Sequence, residues 1–160
     1  MDVEIVTFAA TKLAVIEHLG SPALEHESVK RLIAWRIENH LPPSSTHRNY
    51  GIHYNDPNKV TAAEYRVDLG ISVEHEVPAN PYGVVNKIIP ALLCAKVRHV
   101  GSREHVAAAH YLYAHWLPNS GEQLADFPIF FHYINVGPQV EEAAMLTDVY
   151  LPITARPQNV

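Results

Sequence analysis

Residues 15–21 read V-I-E-H-L-G-S, and residues 96–102 read K-V-R-H-V-G-S. The two stretches lie 81 positions apart, and the same offset aligns chemically similar residues on both sides of them. The aligned pairs are Ala14 with Ala95, Ile16 with Val97, His18 with His99, Gly20 with Gly101, Ser21 with Ser102, Trp35 with Trp116, Tyr50 with Phe131 and Pro57 with Pro138. Asp68 aligns with Asp148 after a one-residue slip. An offset held over so many positions predicts an internal duplication, with repeats at about 1–80 and 82–153.

The composition is that of an ordinary globular protein. Apolar residues make up 48% of the 160 residues and charged residues 18%, which is enough apolar surface for one domain with a packed core. The formal charge is −5, and the twelve lysines and arginines form no run. We therefore expect a single domain over 1–160 that does not bind nucleic acid directly.

The chain shows no sign of export or membrane insertion. Cys94 is the only cysteine, which excludes an internal disulfide framework and is typical of a reducing compartment. The first residues, M-D-V-E-I-V-T-F, lack the basic start and apolar run of a signal peptide. No apolar run approaches the roughly 18 residues of a transmembrane helix. These features predict a cytoplasmic protein.

Each repeat contains the same order of elements. The hydrophobic pattern predicts strands at 3–8, 12–19, 48–54 and 64–74 around a helix at 22–40, and strands at 83–89, 91–100, 128–134 and 145–153 around a helix at 103–117. Gly20 allows a tight turn, Ser21 is a good N-cap, and Pro22 fits the first helical turn. The segments L-P-P-S-S and L-P-N-S-G are expected to end the two helices, because proline cannot continue the hydrogen-bond ladder.

Short connections between the strands favour antiparallel pairing. We therefore predict an α+β fold with duplicated strand–helix–strand halves, about eight mainly antiparallel strands and two helices. The residues expected to point inward from the helices are Val29, Leu32, Ile33 and Ile37 in the first and Val106, Ala109 and Tyr113 in the second.

Three long segments resemble a known family. They are H-Y-N-D-P-N-K-V-T-A-A-E-Y-R-V-D-L-G-I-S-V in the first repeat, W-L-P-N-S-G-E-Q-L-A-D-F-P-I-F-F-H-Y-I-N in the second, and T-D-V-Y-L-P-I near the end. They are similar to the GyrI-like, or AraC effector-binding, domain over about 3–153. The resemblance implies a small-molecule ligand and a cleft between two pseudo-symmetric halves. Because no helix-turn-helix segment precedes Val3, the chain resembles the stand-alone members of that family.

Aromatic and acidic residues on the last strands are the candidates for such a cleft. Flat rings offer a large contact area at low entropic cost, and a carboxylate among rings favours a cation. The predicted ligand-binding residues are Phe131, Tyr133, Asp148 and Tyr150 facing the cavity, Tyr50 as the mate of Phe131, and Trp116 and Asp68. Each also has a structural alternative: the aromatic residues can belong to the core, and the aspartates can pair with an arginine such as Arg66.

One departure from the family pattern bears on the ligand. The family stretch P-x-F-E-x-Y has a glutamate that is associated with cationic ligands, and Phe131 stands at that position here. Either Asp148 supplies the negative charge, or the site is neutral and aromatic. The second alternative is favoured slightly.

The sequence contains no pattern for a metal, a cofactor or catalysis. The eleven histidines form no H-E-x-x-H motif, and His105, His110 and His115 are spaced by five, which does not place them on one face of an α-helix. A glycine-rich phosphate loop and a G-x-S-x-G motif are also missing. We therefore predict no metal site, no cofactor and no catalytic residue.

Three functions are compatible with these features. The first, which we favour, is a stand-alone sensor or sequestering protein for a small aromatic or amphipathic molecule, neutral or cationic. The second is a protein–protein inhibitor of the DNA gyrase inhibitor type, which would need a large exposed patch. The third is a hydrolase of strained, cyclopropane-type compounds, which would need a carboxylate with a shifted pKa.

Overall fold

Two units with the same construction make up the described part of the chain. The computed structural model describes residues 1–104 and 106–154, so His105, one of the three histidines spaced by five, lies outside the described residues. The central unit is Ala10–Pro90, and the split unit consists of Met1–Ala9 together with the described residues between Ala91 and Thr154. The elements, in chain order, are β1 (Glu4–Phe8), β2 (Thr11–Leu19), α1 (Glu25–Glu38), β3 (Asn49–His53), β4 (Arg66–Ser72), β5 (Val85–Ile89), β6 (Leu92–Val100), α2 (Ala107–Tyr111), α3 (Leu117–Ser120), β7 (Gln123–Leu124), β8 (Phe130–Tyr133) and β9 (Leu146–Thr154).

Each unit contains a four-stranded antiparallel sheet. The strand order is β5-β2-β4-β3 in the central unit and β1-β6-β9-β8 in the split unit. The first strand of each sequence repeat thus pairs with the second strand of the other repeat, so the units and the repeats have different boundaries. Within the described residues, the α+β class and the eight main antiparallel strands are confirmed. The short strand β7, which pairs with β9, was not predicted.

The turn that ends β2 recurs after β6 with the same geometry. Gly20 and Gly101 have φ angles of 125° and 118°, which favour glycine. The ring Nε2 atoms of His18 and His99 lie 3.0 and 2.9 Å from the carbonyl oxygen of the serine three residues later. The sequence repeat is therefore also a repeat of hydrogen bonds, as duplication predicts.

The helices differ from the prediction at their ends. A 3₁₀ turn at Pro22–Leu24 precedes α1, and a π-helical turn at Leu112–Trp116 joins α2 to α3. The second helical segment passes through Pro118 and ends only at the last residue of L-P-N-S-G, Gly121, which has a φ of 78°. Pro118 lacks the N–H that an α-helix needs, and the π turn changes the hydrogen-bond spacing directly before it.

Several helix residues that the sequence predicted to point inward are exposed. Trp35 and Leu32 are buried, but Val29, Ile33 and Ile37 form an exposed apolar stripe on α1, with exposures of 36%, 47% and 71%. In the second helical segment, Ala108 and Leu112 are buried while Tyr113 is 43% exposed. Among the described residues, no helix combines the length and the apolar character needed to cross a membrane.

Each unit has its own core between its sheet and its helix. The buried core residues of the central unit are Ala14, Ile16, Leu32, Trp35, Tyr65, Val67, Leu69, Ile71 and Val84. Those of the split unit are Ala95, Val97, Ala108, Leu112, Ile129, Phe131, Val149, Leu151 and Ile153. The strand residues in both sets alternate along the chain, so the remaining strand residues point to the opposite face of each sheet.

Gly70 is required by the close approach of β2 and β4. A Cβ atom at this position would overlap the carbonyl oxygen of Ala14 and lie 2.5 Å from Cγ1 of Val15. We expect Gly70→Ala to lower the free energy of unfolding by about 2–3 kcal/mol, because backbone atoms must move. Urea unfolding measures this change, and a loss below about 0.5 kcal/mol would contradict the packing described here.

Candidate functional site

The predicted site residues lie on two opposite faces of the sheets. Residues that directly oppose each other in paired strands point to the same face. Phe131 opposes Val149, a core residue, so Phe131 and Tyr133 face the helical segment of the split unit. Tyr150 opposes Phe130, and Asp148 opposes His132, on the other face. The prediction that Phe131, Tyr133, Asp148 and Tyr150 share a face is therefore wrong.

The cause is a one-residue difference between the repeats. Asp68 opposes Ile52, and Asp148 opposes His132, so an offset of 80 already applies to β3 and β8. The equivalent of Tyr50 is therefore Phe130 and not Phe131. The connection from the helix to the next strand is one residue shorter in the second repeat. A shift of one residue moves a side chain to the opposite face of a sheet.

Three of the predicted aromatic residues take part in the core of the split unit. Phe131 is 8% exposed, and Tyr133 and Trp116 are partly buried against the same cluster. The rings of Phe131 and Tyr133 meet edge to face with centroids 6.3 Å apart, and the guanidinium of Arg103 lies 5.2 Å from the Tyr133 ring. A ligand role for these three residues stays a prediction, as does the cavity that the sequence predicts.

Asp148 is buried and bound by cations of the neighbouring strand. Its side chain is 3% exposed. Nε of Arg98 donates to Oδ1 at 2.8 Å, Nη2 of Arg98 donates to Oδ2 at 3.2 Å, and Nζ of Lys96 lies 3.4 Å from Oδ2. Burial by itself would raise the pKa of Asp148, but the hydrogen bonds from Arg98 and the charges of Lys96 and Arg98 outweigh burial, so the pKa lies below its ordinary value.

Aromatic rings lie beside this ion pair. The rings of Phe130 and Tyr150 stack at 5.0 Å with an interplanar angle of 5°, and Phe8 meets both edge to face at 4.8 and 5.3 Å. Nζ of Lys96 lies 5.9 Å from the centroid of Tyr150, which is 9% exposed. The predicted site residues Asp148 and Tyr150 are thus brought together, with Arg98 and Lys96 as partners that the sequence did not identify.

Asp68 occupies the equivalent position of the central unit, with different partners. It is fully buried. The hydroxyl of Tyr54 donates to Oδ2, and Nζ of Lys87 lies 2.5 Å from the same oxygen and 3.0 Å from the Tyr54 hydroxyl. Burial lowers the pKa of Lys87, but the hydrogen bonds to Asp68 and Tyr54 raise it by more, so Lys87 is held in its charged form. Arg66, the partner expected for an aspartate, instead lies 3.4 Å from Glu17.

Lys87 also separates two like charges. Glu17 directly opposes Asp68 across β2 and β4, an arrangement that destabilises a sheet. Nζ of Lys87 lies 3.3 Å from Oε2 of Glu17 and so bridges the two carboxylates. Oδ1 of Asp68 is buried and has no hydrogen-bond partner within the part of the chain that the structure describes.

The cations that pair with Asp148 and Asp68 could be recognised only in part from the sequence. Lys96 and Arg98 alternate with apolar residues along β6 and therefore share one face. Their partner can be found only with the strand register, which opposes Arg98 to Asp148. Lys87 lies on β5, whose pairing with β2 the sequence did not predict. No group of three or more His, Cys, Asp or Glu side chains in 1–104 and 106–154 could hold a metal ion.

Removal of Lys87 should destabilise the fold, because it leaves the carboxylates of Asp68 and Glu17 opposed without a cation between them. We expect Lys87→Met to lower the free energy of unfolding by about 2–4 kcal/mol, because Asp68 would remain buried without a cation. Adding Glu17→Gln should recover part of that loss by removing the repulsion. Chemical denaturation followed by circular dichroism measures both changes.

The matched control is Lys12→Met. Lys12 pairs with Glu76 at 3.4 Å, with side-chain exposures of 36% and 73%, so its removal should cost less than about 1 kcal/mol. Equal losses for Lys87→Met and Lys12→Met would refute the bridging role of Lys87.

Similar proteins agree with this architecture. The chain is 36% identical over 154 residues to the probable transcriptional regulator YgiV of Escherichia coli K12. This alignment covers 96% of each of the two chains. It is 29% identical over 159 residues to a protein named DNA gyrase inhibitor from Erwinia billingiae, covering 96% of this chain and 98% of that protein. The C-terminal domain of EcmrR has the same fold, with a TM-score of 0.76 and 13% identity over 96% of this chain and 98% of that chain.

Residues 1–154 match the GyrI-like small molecule binding domain. The match spans both units and all the described strands, which is the extent expected from the sequence segments that resemble this family. The chain therefore belongs to the GyrI-like small-molecule-binding family.

Proposed function

We propose that this protein binds a small, uncharged aromatic or amphipathic molecule, as a stand-alone sensor or sequestering protein. Membership of a small-molecule-binding family supports the general activity. A relative named a probable transcriptional regulator supports a sensing role. The observation that carries the charge preference is that both carboxylate oxygens of Asp148 are already bound by Arg98 and Lys96.

The charges near the candidate residues favour a neutral ligand. Phe131 occupies the position of the family glutamate and carries no charge. From the sequence, Asp148 could replace that glutamate and bind a cationic ligand. In the structure, however, the side chains of Lys96 and Arg98 already pair with its negative charge. A cationic ligand would have to displace Arg98 or Lys96, whereas a neutral ligand would not.

The alternatives have less support. A carboxyl group acts best as a general acid or base when its pKa lies near the working pH, and the pKa of Asp148 is shifted away from neutrality, below its ordinary value. The gyrase-inhibitor alternative is supported by the name of the Erwinia relative. It predicts a protein partner, and it becomes the better account if small molecules fail to bind.

A matched pair of probes tests the charge preference. We expect 4-phenylpyridine, which is neutral at pH 7.5, to bind at least about tenfold more tightly than N-methyl-4-phenylpyridinium in calorimetric titrations. The double variant Arg98→Gln/Lys96→Gln frees Asp148 and should shift the preference toward the cation. Lys12→Gln, on the exposed pair with Glu76, is the matched control and should change neither affinity.

Two results would overturn this proposal. Tighter binding of the cation to the unchanged protein would show that the ion pair does not set the preference. Binding of neither probe, nor of larger neutral aromatic compounds, would favour the protein-partner alternative, which inhibition of DNA gyrase supercoiling by the purified protein then tests.

A further inference from the structure

Two exposed histidines meet on the second helical segment of the split unit. The ring centroids of His110 and His115 lie 6.0 Å apart, with the ring planes at 77°. Both residues are exposed. Their side chains make no hydrogen bond or salt bridge with the described residues, so their ring nitrogens are available for a ligand.

The π turn explains why these residues meet. A spacing of five places two residues on different faces of a regular α-helix. The residues between them enter a π-helical turn, Leu112–Trp116, whose hydrogen bonds join residues five apart. His110, near the end of α2, and His115, within the turn, lie on one side of the segment, as their ring contact shows. The prediction that the histidine spacing keeps them off one face is therefore wrong for this pair. Single π turns occur frequently at functional sites.

We propose that His110 and His115 form a two-histidine site for a divalent transition-metal ion, with Cu²⁺ as the ion bound most tightly. Neutral imidazole is a good ligand for copper, nickel and zinc, and affinity for such sites is highest for Cu²⁺. Metal–nitrogen distances are about 2.0–2.1 Å for zinc, and a centroid separation of 6.0 Å leaves room for one such ion between a nitrogen of each ring. Water would complete the coordination, because no third ligand is found among the described residues.

Binding at this site would stabilise the helical segment. An ion held by both histidines joins α2, which contains His110, to the π turn, which contains His115. The same segment contributes Ala108 and Leu112 to the core of the split unit. An ion that binds only the folded protein raises the unfolding midpoint. This site is separate from Asp148 and its aromatic neighbours, and it does not depend on the proposed small-molecule function.

The test uses the full chain without a histidine tag, titrated with Cu²⁺. We expect one tight site, with two nitrogen ligands in the electron paramagnetic resonance spectrum and a rise in the unfolding midpoint. His110→Asn and His115→Asn should each weaken binding by about tenfold or more, because a two-ligand chelate is lost. The double variant should also lose the weak binding to the single imidazole that each single variant keeps.

His26→Asn is the matched control. His26 is an exposed histidine on α1 whose ring nitrogens lie 2.9 Å from the Ala23 carbonyl oxygen and 2.9 Å from Glu27. Its replacement should leave the tight site unchanged. The proposal is refuted if His26→Asn weakens Cu²⁺ binding as much as His110→Asn, if His110→Asn retains full affinity, or if the spectrum shows a single nitrogen ligand. All three substitutions are on exposed side chains, and circular dichroism checks that each variant folds.

Discussion

A buried carboxylate must be paired with a cation, and this requirement applies at the same position of both units. Asp68 and Asp148 are the third residues of β4 and β9, and both are almost fully buried. Burying a charge without a partner would cost several kcal/mol. The two units meet this requirement differently: Lys87 on β5 pairs with Asp68, whereas Arg98 and Lys96 on β6 pair with Asp148. The duplicated aspartates thus act first as structural ion pairs, and the proposed preference for an uncharged ligand follows from that role.

The parts of the fold that the sequence predicted depend on local signals. Gly20-Ser21 and Gly101-Ser102 mark a turn whose positive φ angle suits glycine, and each serine hydroxyl accepts a hydrogen bond from the backbone N–H two residues later. The turn residues and hydrophobic patterns therefore located the strands and helices to within a few residues. The repeat was also visible, because the same hydrogen bonds require the same residues at the turn in both halves.

The parts that the sequence did not predict depend on contacts between distant residues. The face of Phe131 was assigned wrongly because the position of a one-residue deletion in a connection cannot be read from a single chain, and that deletion decides the register. The partners Arg98 and Lys87 become evident only when strands are paired. The apolar stripe of Val29, Ile33 and Ile37 has the spacing of a buried face, yet the core contacts Leu32 and Trp35 instead. The π turn could not be predicted from the hydrophobic pattern, and the only sequence feature associated with it is Pro118 shortly after it.

The ionisation of Asp148 is the most direct test of the central claim. The pH dependence of its carboxyl ¹³C shift, assigned by its loss in Asp148→Asn, should give a midpoint below the ordinary 3.8, and N-methyl-4-phenylpyridinium should not change it. With a lowered folded pKa, the stability from this ion pair is present above the unfolded pKa and is lost as pH falls through the folded value. A midpoint at or above 3.8, or one that the cation lowers further, would contradict a carboxylate already neutralised by Arg98 and Lys96.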